Sequence, residues 1–171
     1  MLTDLAGIRR LGEKKRGENH RFRRHMKVHD LPERRLRRIA EAITEQIDCT
    51  ECANCCKLAT VRLQDRDVER LARYFRMTPG RFRAQYTTLS EDEGRILRRA
   101  ATGCVFLEGT LCAIYDHRPD TCRNFPHLVR GAGSLPSRMW QMVDRACYCP
   151  IVYNTLEEYK SVLGFQGSVR S

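Results

Sequence analysis

The sequence predicts a small α+β fold that is mostly helical, rich in cysteine and contains one short β-hairpin. Apolar residues recur at helical spacing in several stretches, and two short apolar runs flank a connection that contains glycine. The length of 171 residues and a hydrophobic content of 42% allow one packed core. We therefore expect one domain over residues 30–171, preceded by a basic, flexible tail over residues 1–29.

The first predicted helix follows that tail. Asp30 is a suitable N-cap, Pro32 falls in the first turn, and Glu33 lies three residues after the cap. Apolar residues then recur on one face, while arginines occupy the others. The core-facing residues of this helix are predicted to be Leu36, Ile39, Ala40, Ile43 and Ile47.

Two further helices and a strand are predicted between residues 61 and 98. A short extended segment comes first, and Asp65 can cap the helix that follows it. Thr78 and Pro79 mark the start of the second helix, because proline suits the first helical position. Residues 95–98 form the strand candidate. The residues expected to face the core are Val68, Leu71, Ala72, Phe75, Phe82 and Tyr86.

The predicted hairpin consists of residues 104–107 and 111–115. These two runs flank residues 108–110, a three-residue connection that contains glycine and is typical of a hairpin. A helical turn that begins at Pro119 should then carry Cys122.

A loop and a helix are predicted near the C-terminus. Residues 131–138 are rich in glycine and serine and should form the loop. Pro150 starts the last helix, and Gly164 ends it as the C′ residue. Its inward-facing residues are predicted to be Ile151, Val152, Leu156, Tyr159, Val162 and Leu163.

Positive charge is concentrated in the N-terminal quarter of the chain. The net charge is +10, and residues 1–44 supply 13 Lys/Arg against 6 Asp/Glu, a net +7 that leaves +3 for the rest. A basic segment from Arg9 to Arg38 can contact nucleic acid, an acidic protein or an anionic membrane. A solvated helix is the alternative, because no base-reading motif accompanies the charge.

The N-terminal sequence also bears on location. Its short apolar run is interrupted by Asp4 and is followed, not preceded, by basic residues, which does not fit a signal peptide. The longest uncharged stretch, residues 146–156, is too short to cross a bilayer. We therefore expect a cytoplasmic protein with no transmembrane segment, in which thiols stay reduced.

The nine cysteines carry the strongest chemical signal. Four of them lie within eight residues, Cys49-x2-Cys52-x2-Cys55-Cys56. Two-residue spacers let successive thiolates surround one metal ion or cluster, whereas adjacent cysteines diverge, so one of that pair should serve a second site or none. The remaining ligands are expected from Cys104, Cys112, Cys122 and Cys149, with Cys147 as the spare.

The spacing favours an iron–sulfur cluster over zinc. A C-x2-C-x2-C run with a distant Cys149-Pro150 has the spacing of bacterial ferredoxins. Structural zinc usually uses two short-spaced pairs, and this chain has one short-spaced group. Zinc remains open, as does the choice between one site and two. Cysteines that hold no metal could form a regulatory dithiol.

Three basic side chains near the cysteines are candidates for contacts around a metal centre: Arg118, Arg123 and His127. They could offset the negative charge of thiolates, or the two arginines could pair with backbone carbonyls and neighbouring aspartates. His117 and His127 could also replace a cysteine as ligand. No catalytic constellation is readable, since the sequence has no phosphate-binding loop, nucleophile elbow or acid–base carboxylate pair.

Five cysteine-containing segments occur in a characteristic order. The segments are Cys49-x2-Cys52-x2-Cys55-Cys56, Gly103-Cys104-x-Phe106-Leu107, Cys112-x-Ile114-Tyr115, Arg118-Pro119-x2-Cys122-Arg123-x-Phe125-Pro126 and Cys149-Pro150. Together they resemble the YkgJ-type cysteine-cluster family. The resemblance covers about residues 45–165 and implies chelation of zinc or iron, but no reaction. The ligands that the resemblance implies are Cys49, Cys52, Cys55, Cys56, Cys104, Cys112, Cys122 and Cys149.

We therefore expect a metal-chelating protein with an electron-transfer, sensing or structural role and an unknown protein or redox partner. A metal-dependent enzyme that acts on protein or on a redox substrate is one alternative, because a larger relative, the flagellin lysine methylase, carries a similar cluster. A nucleic-acid-associated adaptor that binds through Arg9 to Arg38 is another.

Overall fold

The computed structural model describes residues 1–29, 31–129 and 135–166. In these residues helix predominates and three small antiparallel sheets accompany it, so the predicted α+β class is confirmed. The helices are α1 (Leu5–Lys14), α2 (Arg16–Val28), α3 (Glu33–Thr44), α4 (Cys49–Cys52), α5 (Asn54–Leu58), α6 (Asp65–Tyr74), α7 (Pro79–Tyr86), α8 (Asp120–Arg123), α9 (Leu135–Arg145) and α10 (Pro150–Val162). The strands are β1 (Thr87–Ser90), β2 (Gly94–Leu97), β3 (Arg99–Ala100), β4 (Gly103–Cys104), β5 (Leu107–Glu108) and β6 (Leu111–Cys112).

The chain divides into two compact units. The helical unit comprises residues 1–48 and the segment that begins at Pro126, and the cysteine unit comprises Cys49–Phe125. The helical unit contains α1–α3, α9 and α10, and the cysteine unit contains α4–α8 and all the described strands. This division differs from the expected boundary at residue 30, because the N-terminal helices pack with the C-terminal ones.

Residues 1–29 contain two packed helices where the sequence predicted a flexible tail. Asp4 caps α1, since its carboxylate accepts a hydrogen bond from the Gly7 amide at 2.7 Å. Ile8 in α1 and Phe22 in α2 are fully buried, and the Phe22 ring meets the Tyr159 ring of α10 edge-on at 5.8 Å between centroids. Helices α1 and α2 carry few apolar residues, and these residues are buried by helices that are distant in the sequence. A local sequence pattern does not reveal such contacts.

The predicted apolar face of α3 is confirmed. The helix begins at Glu33 with Pro32 as its N-cap residue, while Asp30, the predicted cap, lies outside the described residues. The helix ends at Thr44, so Ile47 lies beyond it and is half-buried. The buried residues of α3 are Leu36, Ile39, Ala40 and Ile43.

The two C-terminal helices match the sequence in part. Helix α10 begins at Pro150 as predicted, and Gly164 with a φ of +63° follows its C-cap residue. Val162 is 48% exposed, contrary to its predicted inward orientation. Helix α9 starts at Leu135 within the segment that was predicted to be a loop, and residues 131–134 lie outside the described residues.

Local signals identify the longer helices of the cysteine unit. Helix α6 begins at Asp65, but its cap residue is Gln64, which forms a reciprocal capping box with Asp67. Thr78 caps α7 by accepting a hydrogen bond from the Arg81 amide at 3.2 Å. The buried core of this unit consists of Val61, Leu63, Val68, Leu71, Ala72, Phe82, Leu97, Phe106 and Ile114.

The predicted strand is confirmed as β2, whereas the predicted hairpin is divided between two ladders. Strands β5 and β6 pair with Leu107 opposite Cys112. Cys104 instead pairs with Arg99 in the β3–β4 ladder. Each of these strands has two residues, so the apolar pattern does not show where one ladder ends and the next begins.

Candidate metal centre

Two short helices, α4 and α5, carry the first four cysteines. The residue between the helices, Ala53, adopts the left-handed conformation with φ +47° and ψ 12°. This conformation costs roughly 1–2 kcal/mol for a residue that has a Cβ. The Ala53 amide still donates to the Cys49 carbonyl at 2.9 Å. The chain therefore changes direction between Cys52 and Cys55 while its backbone hydrogen bonding continues.

Three later cysteines come from separate elements of the same unit. Cys104 ends β4, Cys112 ends β6, and Cys122 lies in α8. The Cys122 amide donates to the Pro119 carbonyl at 2.9 Å, which confirms the helical turn predicted after this proline. Six residues or more separate each of these cysteines from the next, so only the fold brings them to one place.

Gly103 allows β4 to lie directly against α5. Its φ is +135°, and a Cβ at this position would lie 2.7 Å from the Cys56 carbonyl oxygen and 2.9 Å from the Lys57 Cα. Arg99 reinforces the contact, because its guanidinium donates to the Lys57 carbonyl and, at 2.8 Å, to the Ala59 carbonyl. This close approach sets the position of Cys104 relative to Cys56.

The cysteines of these elements surround one cavity of about 80 Å³. Its other walls are mainly apolar and include Val61, Phe106 and Ile114. An apolar, partly enclosed cavity with several thiols suits a thiolate-bound metal, because zinc and iron–sulfur clusters both take cysteine sulfur as ligand. The cysteines in the lining are Cys49, Cys55, Cys56, Cys104, Cys112 and Cys122.

Two of the eight predicted ligands are not part of that lining. Cys52 is half-buried at the end of α4, and Cys149 is the N-cap residue of α10 in the helical unit. Across the described ranges, no three His, Cys, Asp or Glu side chains are close enough together to hold a metal ion. The structure thus gathers six candidate thiols around one cavity without placing them at ligating distances.

The Cys56 thiol has a lowered pKa. A hydrogen bond from the Cys55 thiol lowers the pKa of Cys56 to about 7, and the positive charges of Arg118 and Lys57 act in the same direction. Burial opposes this change but does not reverse it. Cys56 is therefore available as a thiolate to an incoming metal cation near neutral pH.

The thiols of Cys104, Cys112 and Cys122 behave in the opposite way. Burial raises the pKa of each, and for Cys122 it raises the pKa to about 12. The negative charge of Cys56 adds to the shift at all three. A bound cation would reverse this balance by stabilising the thiolates, so metal binding at these residues must release protons.

Arg118 lies at the cavity and is held rigidly. Its Nε donates to the Tyr115 carbonyl at 2.8 Å, and its guanidinium carbon lies 3.5 Å from the centroid of the Tyr115 ring. Both residues line the cavity. Arg118 therefore places a positive charge beside the thiols.

The other predicted basic residues lie outside the lining of the cavity. Arg123 is exposed and donates to the Asp116 carbonyl at 3.0 Å, the structural pairing that the sequence left open. The His117 ring packs on the Tyr74 ring at 4.1 Å between centroids. His127 belongs to the helical unit and has a φ of +66°.

Sequence reasoning missed the pair that anchors the segment leading to Cys122. Asp67 is buried, and its carboxylate accepts from the Asp120 amide at 3.2 Å and from Arg70 at 3.0 Å. Arg70 in turn donates to the carbonyls of His117 at 2.6 Å and Arg118 at 2.9 Å. The only sequence signal was an Asp-x-x-Arg spacing on one face of α6, which usually indicates an exposed ion pair.

A comparison with protein-family models identifies the family of the domain that contains this cavity. The family model CxxCxxCC, described as "Putative zinc- or iron-chelating domain", matches residues 48–150. The chain belongs to this family. The match spans the whole cysteine unit and extends to Cys149-Pro150, as the resemblance implied. The CxxCxxCC match leaves α1, α2, α3 and nearly all of α10 outside it.

No curated protein and no solved structure matches the chain. Within the described part of the chain, every helix is too short or too polar to cross a bilayer.

Proposed function

We propose that the cysteine unit holds an iron–sulfur cluster in its cysteine-lined cavity and serves in electron transfer. The observation that carries this proposal is the convergence of six cysteines, from α4, α5, β4, β6 and α8, on one mainly apolar cavity. A buried cysteine can also simply fill a core, as Cys147 does in the helical unit.

The spread of the thiols favours a cluster over a single zinc ion. Four thiolates bound tetrahedrally at about 2.3 Å from zinc lie within roughly 4 Å of one another. In the described residues six cysteines instead line a cavity of about 80 Å³. A centre with several iron atoms and bridging sulfides fills such a space, and the C-x2-C-x2-C spacing points the same way.

The ligands that we propose come first from the cavity lining: Cys49, Cys55, Cys56, Cys104, Cys112 and Cys122. Cys52 and Cys149, which the family resemblance also implies, stay proposed ligands on the spacing of the sequence alone. When bound, the cluster would supply one-electron chemistry. Arg118 would offset the negative charge of the thiolates from its fixed position above Tyr115.

The cavity lies close enough to the surface for an electron-transfer role. Cys49, Thr110 and Tyr115 line it and are also exposed to solvent. A redox partner could therefore approach the centre from this side.

Single cysteine-to-serine variants test the proposal. Chains with Cys104→Ser, Cys112→Ser or Cys122→Ser should lose most of their bound iron when purified without oxygen. Cys147→Ser is the control, because Cys147 lies in the helical unit, outside the cavity lining, and donates to the Val143 carbonyl. Equal iron content in all four variants would overturn the proposal.

A further inference from the structure

The helical unit carries an exposed aromatic side chain that the metal centre does not explain. Trp140, the chain's only tryptophan, lies on α9 with 57% of its surface exposed. Its neighbours on that helix, Met139 and Met142, are fully buried and supply the packing of α9. The indole is therefore free to contact a ligand without disturbing the core.

Two side chains of α2 lie against this indole. The guanidinium carbon of Arg23 is 4.6 Å from the centroid of the Trp140 ring, and the His20 ring is 6.0 Å from it. The Arg23 Nε is buried and has no hydrogen-bond partner among the residues that the structure describes. A planar cation and a planar aromatic ring are thus presented together.

Exposed positive charge lies on α2 and α3, two helices that contact α9. Helix α2 packs on α9, and Glu33 in the first turn of α3 pairs with Arg138 of α9 at 2.8 Å. The exposed basic residues of the two helices are Arg24, Lys27, Arg34, Arg35, Arg37 and Arg38. We call these six residues, with Trp140 and Arg23, the basic tryptophan surface.

Several acidic residues of the unit are engaged elsewhere. Glu18 pairs with the buried Lys160. Glu33 pairs with Arg138 at 2.8 Å, and Asp144, one turn after Trp140, pairs with Arg16. These carboxylates are therefore already paired with other cations.

We propose that the basic tryptophan surface binds single-stranded nucleic acid. Exposed bases stack on aromatic rings and guanidinium planes, while phosphates bind to surrounding Arg and Lys. A duplex offers no free base faces for Trp140. A membrane is a poorer fit, because Phe22 and Met26 of α2 are buried and Val28 is the one exposed apolar residue of that helix. This proposal is independent of the metal centre, which lies in the other unit.

Tryptophan fluorescence tests the proposal directly, because the emission of the chain reports only on Trp140. The full chain should be titrated at low salt with a single-stranded oligonucleotide of about 16 nucleotides, the upper end of the footprint of one binding fold. We expect the emission to be quenched at saturation. The logarithm of the affinity should fall linearly with the logarithm of the salt concentration, by about 0.7 per phosphate contacted.

Variants separate stacking from charge, with affinity measured by anisotropy of a labelled oligonucleotide. Trp140→Ala should weaken binding at least about fivefold, and Trp140→Phe should restore part of the loss. Arg24→Gln should lower the salt slope by about 0.7. Arg81→Gln is the control, since it removes an exposed charge from the cysteine unit and should leave the affinity unchanged.

Three outcomes would overturn the proposal. The first is an unchanged emission spectrum with the oligonucleotide. The second is unaltered affinity in Trp140→Ala while circular dichroism shows the native helix content. The third is equal quenching by polyglutamate or by vesicles rich in phosphatidylserine, which would indicate an acidic protein or a membrane as the partner. None of these outcomes depends on iron content. The nucleic-acid proposal can therefore fail while the proposed metal centre is unaffected.

Discussion

Gly103 and Cys56 touch through their backbones: a Cβ on residue 103 would lie 2.7 Å from the Cys56 carbonyl oxygen. Real Cβ atoms essentially never approach an atom that closely, so any side chain at this position must push β4 away from α5. This contact joins the first cysteine segment to Cys104. The geometry of the cavity therefore depends on a residue that has no side chain.

Substitution of this glycine should damage both the fold and the metal centre. In Gly103→Ala the clash adds to the strain of a φ of +135°, and we expect a loss of about 2–4 kcal/mol in the free energy of unfolding. Bound iron should fall as well. Chemical denaturation and metal analysis measure the two effects.

Two other glycines serve as controls for that variant. Gly109→Ala introduces strain alone, because φ is +64° but no atom lies within 4 Å of the added Cβ, and it should cost about 1–2 kcal/mol. In Gly80→Ala the added Cβ meets no atom within 4 Å and the backbone does not have a positive φ. This variant should be neutral or slightly stabilising in α7. If Gly103→Ala were no worse than Gly109→Ala, the close contact would not matter.

Asp67 should anchor the segment that carries Cys122. Asp67→Asn removes the charge that holds Arg70 and the Asp120 amide, and we expect the cysteine unit to lose about 2–3 kcal/mol in its free energy of unfolding. Asp65→Asn should cost less than about 1 kcal/mol, because that carboxylate is 85% exposed in its pair with Arg83. Equal losses in the two variants would contradict the anchoring role.

The thiols of the metal-free chain should react in a fixed order. Cys56 ionises as the pH rises through about 7, so its alkylation rate should increase across that range and then level off. Cys122, with its pKa raised to about 12, should stay protonated and unreactive throughout. Mass spectrometry after brief treatment with iodoacetamide measures both sites. Faster labelling of Cys122 than of Cys56 at pH 7 would refute the assignment.

Metal removal should loosen one part of the chain selectively. Helices α4, α5 and α8 have four or five residues and strands β3–β6 have two, so these elements are too short to persist alone. Hydrogen exchange should therefore speed up over residues 49–58 and 99–123 after chelation. Exchange in α1, α3 and α10 should not change, because these helices bury their own apolar residues. Uniform acceleration across both units would contradict this expectation.

The sequence predicted those elements whose determinants are local. Thr78-Pro79 and Pro150 correctly predicted the starts of α7 and α10. The predicted apolar stripe of α3 that begins at Leu36 is buried. The six cysteines that line the cavity were all among the predicted ligands.

Other features depend on contacts between distant residues, and the sequence did not reveal them. Residues 1–29 fold because Ile8 and Phe22 are buried by partners far along the chain. The sequence around Asp67 is typical of a surface residue. Asp67 and its partner Arg70 instead contact the backbone of residues 117–120, which is distant in the sequence. The predicted hairpin was partly wrong, because its apolar pattern fits two separate ladders as well as it fits one.

The most direct test of the metal centre is to purify the full chain without oxygen and to count iron, zinc and acid-labile sulfide per chain. The iron–sulfur proposal predicts a brown protein with broad visible absorption and nearly equal amounts of iron and sulfide. A colourless protein with stoichiometric zinc and no sulfide would contradict the cluster and leave a zinc site. A folded chain with neither metal would contradict a metal centre altogether.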